Sequence, residues 1–410
     1  MGTSKRGKAS LLFEDPPLIL SAASVVGKKE GEGPLGKYFD RIEMDSMLGK
    51  RTWEEAESEL QTRTARLAIE KSGLDKEEIR YYFGGDLLAQ LIATSFGSMD
   101  LEFPMFGLYG ACSTMGEGLQ LGSMTVAGDF ADRVLVTASS HFASAEKQFR
   151  FPLEYGNQRP LSATWTVTGC GAVVLGKGGG GSPLARVAGI TTGKIVDMDF
   201  KDSMNMGAAM AMAALDTIVT NFKDLGVDER YYDRIITGDL GTVGRRLLLD
   251  YLLKAGHDIE SRYMDCGIEI FDGSTQDTHA GGSGCGCSAA VLCGYILPRI
   301  QQGEWKRVLF MPTGALLSTV SFNEGKSVPG IALVYIRGDL LTSAHCEYQD
   351  GQGSEVTHVE LRDQCLFGEF HCHILCVGID HRSGKHHKDV QDGHYEHTGS
   401  GNGSQLLKRV

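Results

Sequence analysis

Two long segments of the chain place apolar residues every three or four positions, which is the spacing of an amphipathic helix. They cover about residues 52–72 and 204–225. Each is followed by a similar stretch, Tyr-Tyr-Phe-Gly-Gly-Asp-Leu at 81–87 and Tyr-Tyr-Asp-Arg-Ile-Ile-Thr-Gly-Asp-Leu at 231–240. The pattern therefore predicts one structural unit that is used twice.

The repeat continues further along the chain. Cys112 and Cys287 each stand near the start of a helical run, and each run ends at a glycine the same distance away, Gly128 or Gly303. A basic residue and a short apolar run typical of a strand follow each glycine. Strands that alternate with helices predict two β-α-β halves, packed as an α/β/α/β/α body.

Composition narrows the class of protein. The 410 residues are 42% hydrophobic and 22% charged, as in globular proteins, and no apolar run is long enough to span a bilayer. A formal net charge of -12 argues against a nucleic-acid partner. The first residues lack the apolar stretch of a signal peptide, so we expect a soluble protein whose ten cysteines are thiols.

The last part of the chain has a different composition. Residues 344–410 hold nine of the 12 histidines and four of the ten cysteines, with no sustained periodicity. The predicted division is therefore 1–180, 181–343 and an atypical, poorly ordered tail, 344–410. No Cys-x-x-Cys pair occurs in the tail, so no metal site is predicted; zinc binding and a shifted reading frame stay as alternatives.

The glycine-rich stretch 176–181 matches the pattern of a dinucleotide-binding loop. It leads into a strand-like run instead of a helix, so no helix N-terminus would face a phosphate. We interpret it as the linker between the halves and expect no cofactor.

The duplicated body, with a cysteine that opens the first central helix, resembles the thiolase fold of thiolases and β-ketoacyl synthases over about residues 12–340. A closer resemblance, to the stage V sporulation protein AD family, is carried by residues 27–36, 110–114, 139–141, 148–152 and 281–285. It implies a protein that binds dipicolinic acid and helps move it, with calcium, into the developing spore. It also implies membrane channel proteins as partners, a place at the inner spore membrane, and a homodimer.

Condensing enzymes of this fold use a thiolate at a helix N-terminus, together with His and Asn, or two His, from the second half. Cys112, at the start of the first central helix, is in the position of this thiolate. The resemblance puts Asp239 and Ser283 at the two other positions, and an ionised aspartate cannot donate a hydrogen bond to an oxyanion. The sequence thus favours a binding protein, and an acyltransferase or condensing enzyme with Cys112 as nucleophile is the alternative.

Dipicolinate is a planar dianion, so a pocket that binds it should offer N–H donors, cations and an apolar surface against its ring. Lys147 and Arg150 supply charge beside aromatic residues, and Arg159 follows them. Asp239 would repel a bare dianion unless calcium bridges the two. The predicted ligand-binding residues are Cys112, Ser113, His141, Lys147, Arg150, Thr168, Asp239 and Ser283. The alternatives are a core thiol at Cys112, a structural role for His141 and a solvated loop that carries the basic residues. Cys287 is interpreted as core packing.

Overall fold

The computed structural model describes residues 3–149, 158–178 and 182–338. The predicted tail, 344–410, lies outside the described residues, and so does most of the predicted linker. The chain divides by its internal contacts near residue 339, and every described strand and helix belongs to the unit before that point.

Strands and helices alternate along the described chain. The strands are β1 Thr3–Arg6, β2 Ser10–Phe13, β3 Leu18–Gly27, β4 Arg41–Glu43, β5 Tyr81–Gly85, β6 Met105–Gly107, β7 Arg133–Ser140, β8 Trp165–Thr166, β9 Gly169–Gly176, β10 Ala185–Thr192, β11 Arg234–Thr237, β12 Tyr263–Asp265, β13 Gly282–Ser283, β14 Val308–Met311, β15 Thr313–Ala315 and β16 Gly330–Gly338. The helices are α1 Lys28–Gly31, α2 Trp53–Ser72, α3 Ile92–Gly97, α4 Thr114–Ala127, α5 Phe142–Phe149, α6 Met206–Leu225, α7 Gly241–Lys254, α8 Cys266–Glu269, α9 Cys285–Val291, α10 Leu297–Gln301 and α11 Thr319–Asn323.

The two long predicted helices are α2 and α6. The hydroxyl of Thr52 accepts a hydrogen bond from the Glu55 N–H at 3.2 Å, and the Glu55 carboxylate accepts one from the Thr52 N–H at 3.3 Å. This capping box starts α2, and Asn205 caps α6 in a similar way. Each helix ends at a left-handed glycine, Gly73 or Gly226. The prediction of both helices is confirmed.

The two halves build the same sheet twice. The first half has the strand order β6-β5-β7-β9-β3, and the second has β12-β11-β14-β16-β10. In each half three parallel strands are followed by an antiparallel one. The halves join where β10 pairs with β3, so one sheet runs through the body. The domain boundary near residue 180 stays a prediction.

Helices cover the outer faces of the sheet, and two helices, α4 and α9, lie between its halves. Helix α2 packs on β3 and β9, α6 packs on β16, and α4 contacts strands of both halves beside α9. Every residue of β9 is buried because both faces of that strand are covered. The predicted α/β/α/β/α arrangement is confirmed, and it buries the starts of α4 and α9 within the first unit.

Candidate functional site

Cys112 lies in the tight turn Ala111–Ser113 that precedes α4. Ala111 has φ +49°, a left-handed conformation that residues with a Cβ adopt rarely. The Ser113 hydroxyl donates to the Gly110 carbonyl at 2.7 Å, and the Thr114 hydroxyl donates to the Ala111 carbonyl at 2.7 Å. These bonds fix the turn, so Ser113 holds the backbone and does not line the pocket described below.

Asp239 comes from the second half, just after β11, and its carboxyl group contacts the Cys112 thiol. The Gly284 N–H donates to one carboxylate oxygen at 2.9 Å, and the Thr313 hydroxyl donates to the other at 3.1 Å. Asp239 is fully buried. The structure thus brings together Cys112 and Asp239, which the sequence predicted separately. Thr313 was not among the site residues predicted from the sequence.

Burial sets the protonation of this pair. Desolvation raises the pKa of Asp239 to about 7, and the nearby charge of Asp265 adds to the rise. Desolvation also raises the pKa of the Cys112 thiol well above its ordinary value, and the Asp239 charge raises it further. A cysteine activated as a nucleophile has a lowered pKa. Cys112 is therefore a protonated thiol at neutral pH, despite its place at the start of a helix.

Gly284 must be glycine for this arrangement. It has φ +102°, and a Cβ built on it would lie 2.6 Å from the Ser140 hydroxyl oxygen. The residue before it, Ser283, is fixed because β13 pairs with β8, which places Ser283 opposite Thr166. Ser283 and Gly284 consequently reach the pocket together.

A pocket that is partly open to solvent lies beside Cys112; we call it the Cys112 pocket. Its large apolar side chains are Leu87, Tyr109, Phe149, Met204, Met206 and Leu317. Its polar side chains are Cys112, Glu146, Thr166, Ser203 and Ser283. The Thr166 hydroxyl donates to the Glu146 carboxylate at 2.8 Å. Among the described residues that line it there is no Lys or Arg, and Glu146 is the carboxylate.

Of the predicted cations, Lys147 and Arg159 do not line this pocket. Lys147 forms an ion pair with Glu54. Arg159 contacts Asp277, with an N–O distance of 3.4 Å, and lies over the ring of Trp165. Arg150 lies outside the described residues.

His141 and Thr168 also lie away from the pocket lining. One ring nitrogen of the buried His141 lies 2.8 Å from the Ser46 carbonyl, and the other accepts the Ala143 N–H at 3.2 Å. Burial lowers the pKa of His141, so its ring is neutral near pH 7. The Thr168 hydroxyl accepts the Phe142 N–H at 3.1 Å. Both side chains therefore satisfy backbone groups at the start of α5, which is the structural alternative for His141.

A buried polar network that the sequence did not reveal lies between α2 and the first-half sheet. The Gln61 amide donates to Ser139 and Thr94 at 3.0 Å each. The Ser139 hydroxyl donates to Glu57 at 3.0 Å, and the Thr94 hydroxyl donates to Asp86 at 2.5 Å. Desolvation, followed by the Asp86 charge, raises the pKa of Glu57 to about 8. The network satisfies polar groups inside the core, where unpaired ones are costly.

The six described cysteines are all buried and unbridged. Cys287, the counterpart of Cys112, has its sulfur 3.8 Å from the Gly238 carbonyl oxygen. Its burial agrees with the interpretation as core packing. Within the described residues no group of three potential ligands is arranged to hold a metal ion.

Comparison with known proteins decides the family. The model of the stage V sporulation protein AD family matches residues 7–336. The chain belongs to the stage V sporulation protein AD family. The protein of that name from Bacillus subtilis (strain 168) is 40% identical over 326 residues, which cover 80% of this chain and 95% of the relative. The chain is thus a member of a sporulation family with a thiolase-like body.

Solved structures agree on the fold. A variant of OleA from Xanthomonas campestris matches 80% of this chain and 97% of its own, with a TM-score of 0.52 and 14% identity. A tetronic acid condensing enzyme matches 78% of this chain and 100% of its own, with a TM-score of 0.50 and 16% identity. At such identities the likeness concerns the fold alone. In the described part of the chain, no helix combines the length and the apolar character needed to cross a bilayer.

Proposed function

We propose that this protein binds dipicolinic acid as its calcium chelate, without turnover, in the Cys112 pocket. By family resemblance, it would serve uptake into the developing spore as a homodimer at the inner membrane, with channel proteins as partners. One observation supports a protein without catalytic activity: the Asp239 carboxylate accepts the hydrogen bonds of the Gly284 N–H and the Thr313 hydroxyl.

This arrangement opposes condensation in two ways. An oxyanion needs donors that are free to receive it, and Gly284 N–H and Thr313 hydroxyl already serve a protein carboxylate. The thiol next to that carboxylate is kept protonated, so it is a poor nucleophile.

The oxygen atoms on the pocket lining support the calcium chelate as the ligand. Glu146 is on the lining and Asp239 lies just behind it, whereas the described lining offers no cation. Calcium is bound by carboxylate and hydroxyl oxygens, which Glu146, Thr166 and Ser283 present, and the apolar side chains would contact the pyridine ring.

Calorimetric titration with dipicolinate, with and without calcium chloride, tests this proposal. We expect saturable one-to-one binding that requires calcium, and a loss of at least about tenfold in affinity for Glu146→Gln, about 1.4 kcal/mol. Cys112→Ala should also alter the affinity, whereas Cys293→Ala, which shortens a buried cysteine on the π-helical turn after α9, should not. Absence of saturable heat, or equal affinity of wild type and Glu146→Gln, would contradict the proposal.

One observation favours the alternative function. The large apolar side chains of the pocket would also suit an acyl chain, and Cys112 is one of the lining residues. An acyltransferase would accumulate a covalent adduct on Cys112 when mixed with acyl-CoA, and intact-mass measurement would detect it. We expect no adduct in the wild type; a stoichiometric adduct that is absent in Cys112→Ala would establish the enzyme.

A further inference from the structure

Two carboxyl groups of the buried polar network, those of Glu57 and Asp86, lie in the core without a cation between them. Both residues are fully buried, and the Asp86 charge acts on Glu57. The Gln61 amide links the two groups, since it donates to Thr94, which holds Asp86, and to Ser139, which holds Glu57. Two negative charges in such a place are costly, whereas one charge and one proton are not.

The other ionisable groups around this pair do not neutralise it. Among the described residues, no lysine or arginine forms an ion pair with Glu57 or Asp86. The side chains whose charge states interact with the pair are Glu54 on α2, Tyr82 on β5, Tyr109 before α4, Cys170 on β9 and Cys285 on α9. Burial raises the pKa of the tyrosines and cysteines, so they are neutral near pH 7. Helix α5, which packs on α2, carries Glu146 and Lys147, and Lys147 pairs with Glu54.

The Ser144 hydroxyl gives the shared proton a place on Glu57. Its oxygen lies 2.6 Å from one Glu57 carboxyl oxygen and 3.0 Å from the His141 carbonyl. When Glu57 is ionised, Ser144 donates to it. When Glu57 is protonated, its O–H can donate to Ser144, which then donates to the His141 carbonyl. The network therefore satisfies a protonated Glu57 without leaving a polar group unpaired.

Each carboxyl group also holds a segment that lines the Cys112 pocket. The Asp86 carboxylate accepts two backbone N–H groups of the loop that follows it, at 2.7 Å each, and Leu87 of this loop lines the pocket. Ser144, which is bonded to Glu57, lies in the first turn of α5, and Phe149 of the same helix lines the pocket. A second negative charge on the pair would favour conformations in which these segments separate and admit water.

We propose that Glu57 and Asp86 share one proton and thereby regulate the Cys112 pocket: the bound proton keeps both lining segments in place, and its release to solvent loosens them and weakens ligand binding. This inference concerns regulation of the proposed binding site and rests on the proposed function. The closed pocket holds the proton more tightly than the loosened one. Ligand affinity is therefore highest below about pH 8 and falls as the pH rises further.

Calorimetric titration with calcium dipicolinate between pH 7 and pH 9 tests this regulation. We expect the wild-type affinity to fall about tenfold further over this range than that of Glu57→Gln, whose amide replaces the protonated carboxyl group. Asp239 titrates in both proteins and cancels in the comparison. Glu117→Gln is the matched control and should behave as the wild type: burial also raises the pKa of Glu117, but its Oε2 has no hydrogen-bond partner in the described structure. Equal pH dependence of wild type and Glu57→Gln would overturn the proposal.

The variant Asp86→Asn distinguishes a shared proton from a structural role of Glu57 alone. The Asp86 charge contributes to the raised pKa of Glu57, so its removal should move the fall in affinity to lower pH. A fall at the same pH as in the wild type would contradict the sharing.

Hydrogen exchange without ligand tests the coupling even if dipicolinate does not bind. After correction for the chemical exchange rate, peptides covering residues 86–97 and 142–149 should exchange at least about fivefold faster at pH 9 than at pH 7 in the wild type. In Glu57→Gln they should not. Unchanged protection in the wild type, or the same loss in Glu57→Gln, would refute the inference. The expected exchange without any binding of dipicolinate would refute the proposed function and leave the proton-dependent change of these segments established.

Discussion

The starts of α4 and α9 are equivalent positions of a duplicated unit, yet their cysteines have different surroundings. Cys112 borders a pocket and contacts Asp239, whereas Cys287 is enclosed in the core beside the Gly238 carbonyl. Both thiols have raised pKa values, first because of burial. The comparison shows that a helix N-terminus alone does not produce a reactive cysteine. A neighbouring carboxyl group and the loss of solvent outweigh the helix dipole.

The largest expected effect on stability comes from Gly284, which precedes α9 and donates its N–H to Asp239. Gly284→Ala should lower the free energy of unfolding by about 3 kcal/mol or more, because φ +102° is almost restricted to glycine and the new Cβ would meet Ser140. Chemical denaturation measures this loss. Gly303→Ala is the control, since Gly303 also has positive φ but a Cβ added there would meet no described atom within 4 Å. Equal losses in the two variants would show that contact with Ser140 contributes nothing.

The next effect is a pH dependence of the free energy of unfolding that is due to Asp239. The pKa of Asp239 is higher in the folded protein, about 7, than in the unfolded chain. Its contribution to stability is therefore complete below about pH 4 and is lost as the pH rises through about 7. Asp239→Asn should become more stable relative to the wild type between pH 5 and pH 8, by about 2 to 3 kcal/mol.

Thermal unfolding at several pH values measures this difference. Asp216→Asn, at a partly exposed carboxylate paired with Lys194, is the control variant. A difference between Asp239→Asn and the wild type that is constant across the range would mean that Asp239 is ionised throughout.

A smaller effect compares the two cysteines directly. Cys287→Ala should cost about 1 kcal/mol in the free energy of unfolding, since it leaves a cavity in close-packed core. Cys112→Ala should cost less, because its side chain borders an existing pocket. Denaturation of both variants under one condition gives the order, and the reverse order would place Cys112 in the better-packed environment.

Much of the fold could be predicted because it depends on periodicity that is local in sequence. The capped helix α2 and the repeated cysteine-to-glycine spacing are examples, and they also located Cys112. Asp239 was placed in the site by the family resemblance, whereas its contact with Cys112 is known only from the tertiary structure. The roles of His141 and Lys147 could not be predicted, because their partners, Ser46 and Glu54, are far away in sequence and only the tertiary structure brings them close.

The pH dependence of Cys112 alkylation tests the central claim most directly, that burial and Asp239 keep this thiol protonated. Native protein is treated briefly with iodoacetamide between pH 6 and pH 10, and modification of Cys112 and Cys287 is quantified by peptide mass spectrometry. We predict that Cys112 reacts slowly, with a rate that still rises at pH 9, and that Asp239→Asn reacts faster than the wild type. A Cys112 rate that reaches its plateau near pH 7 would reveal an activated thiolate and contradict the account.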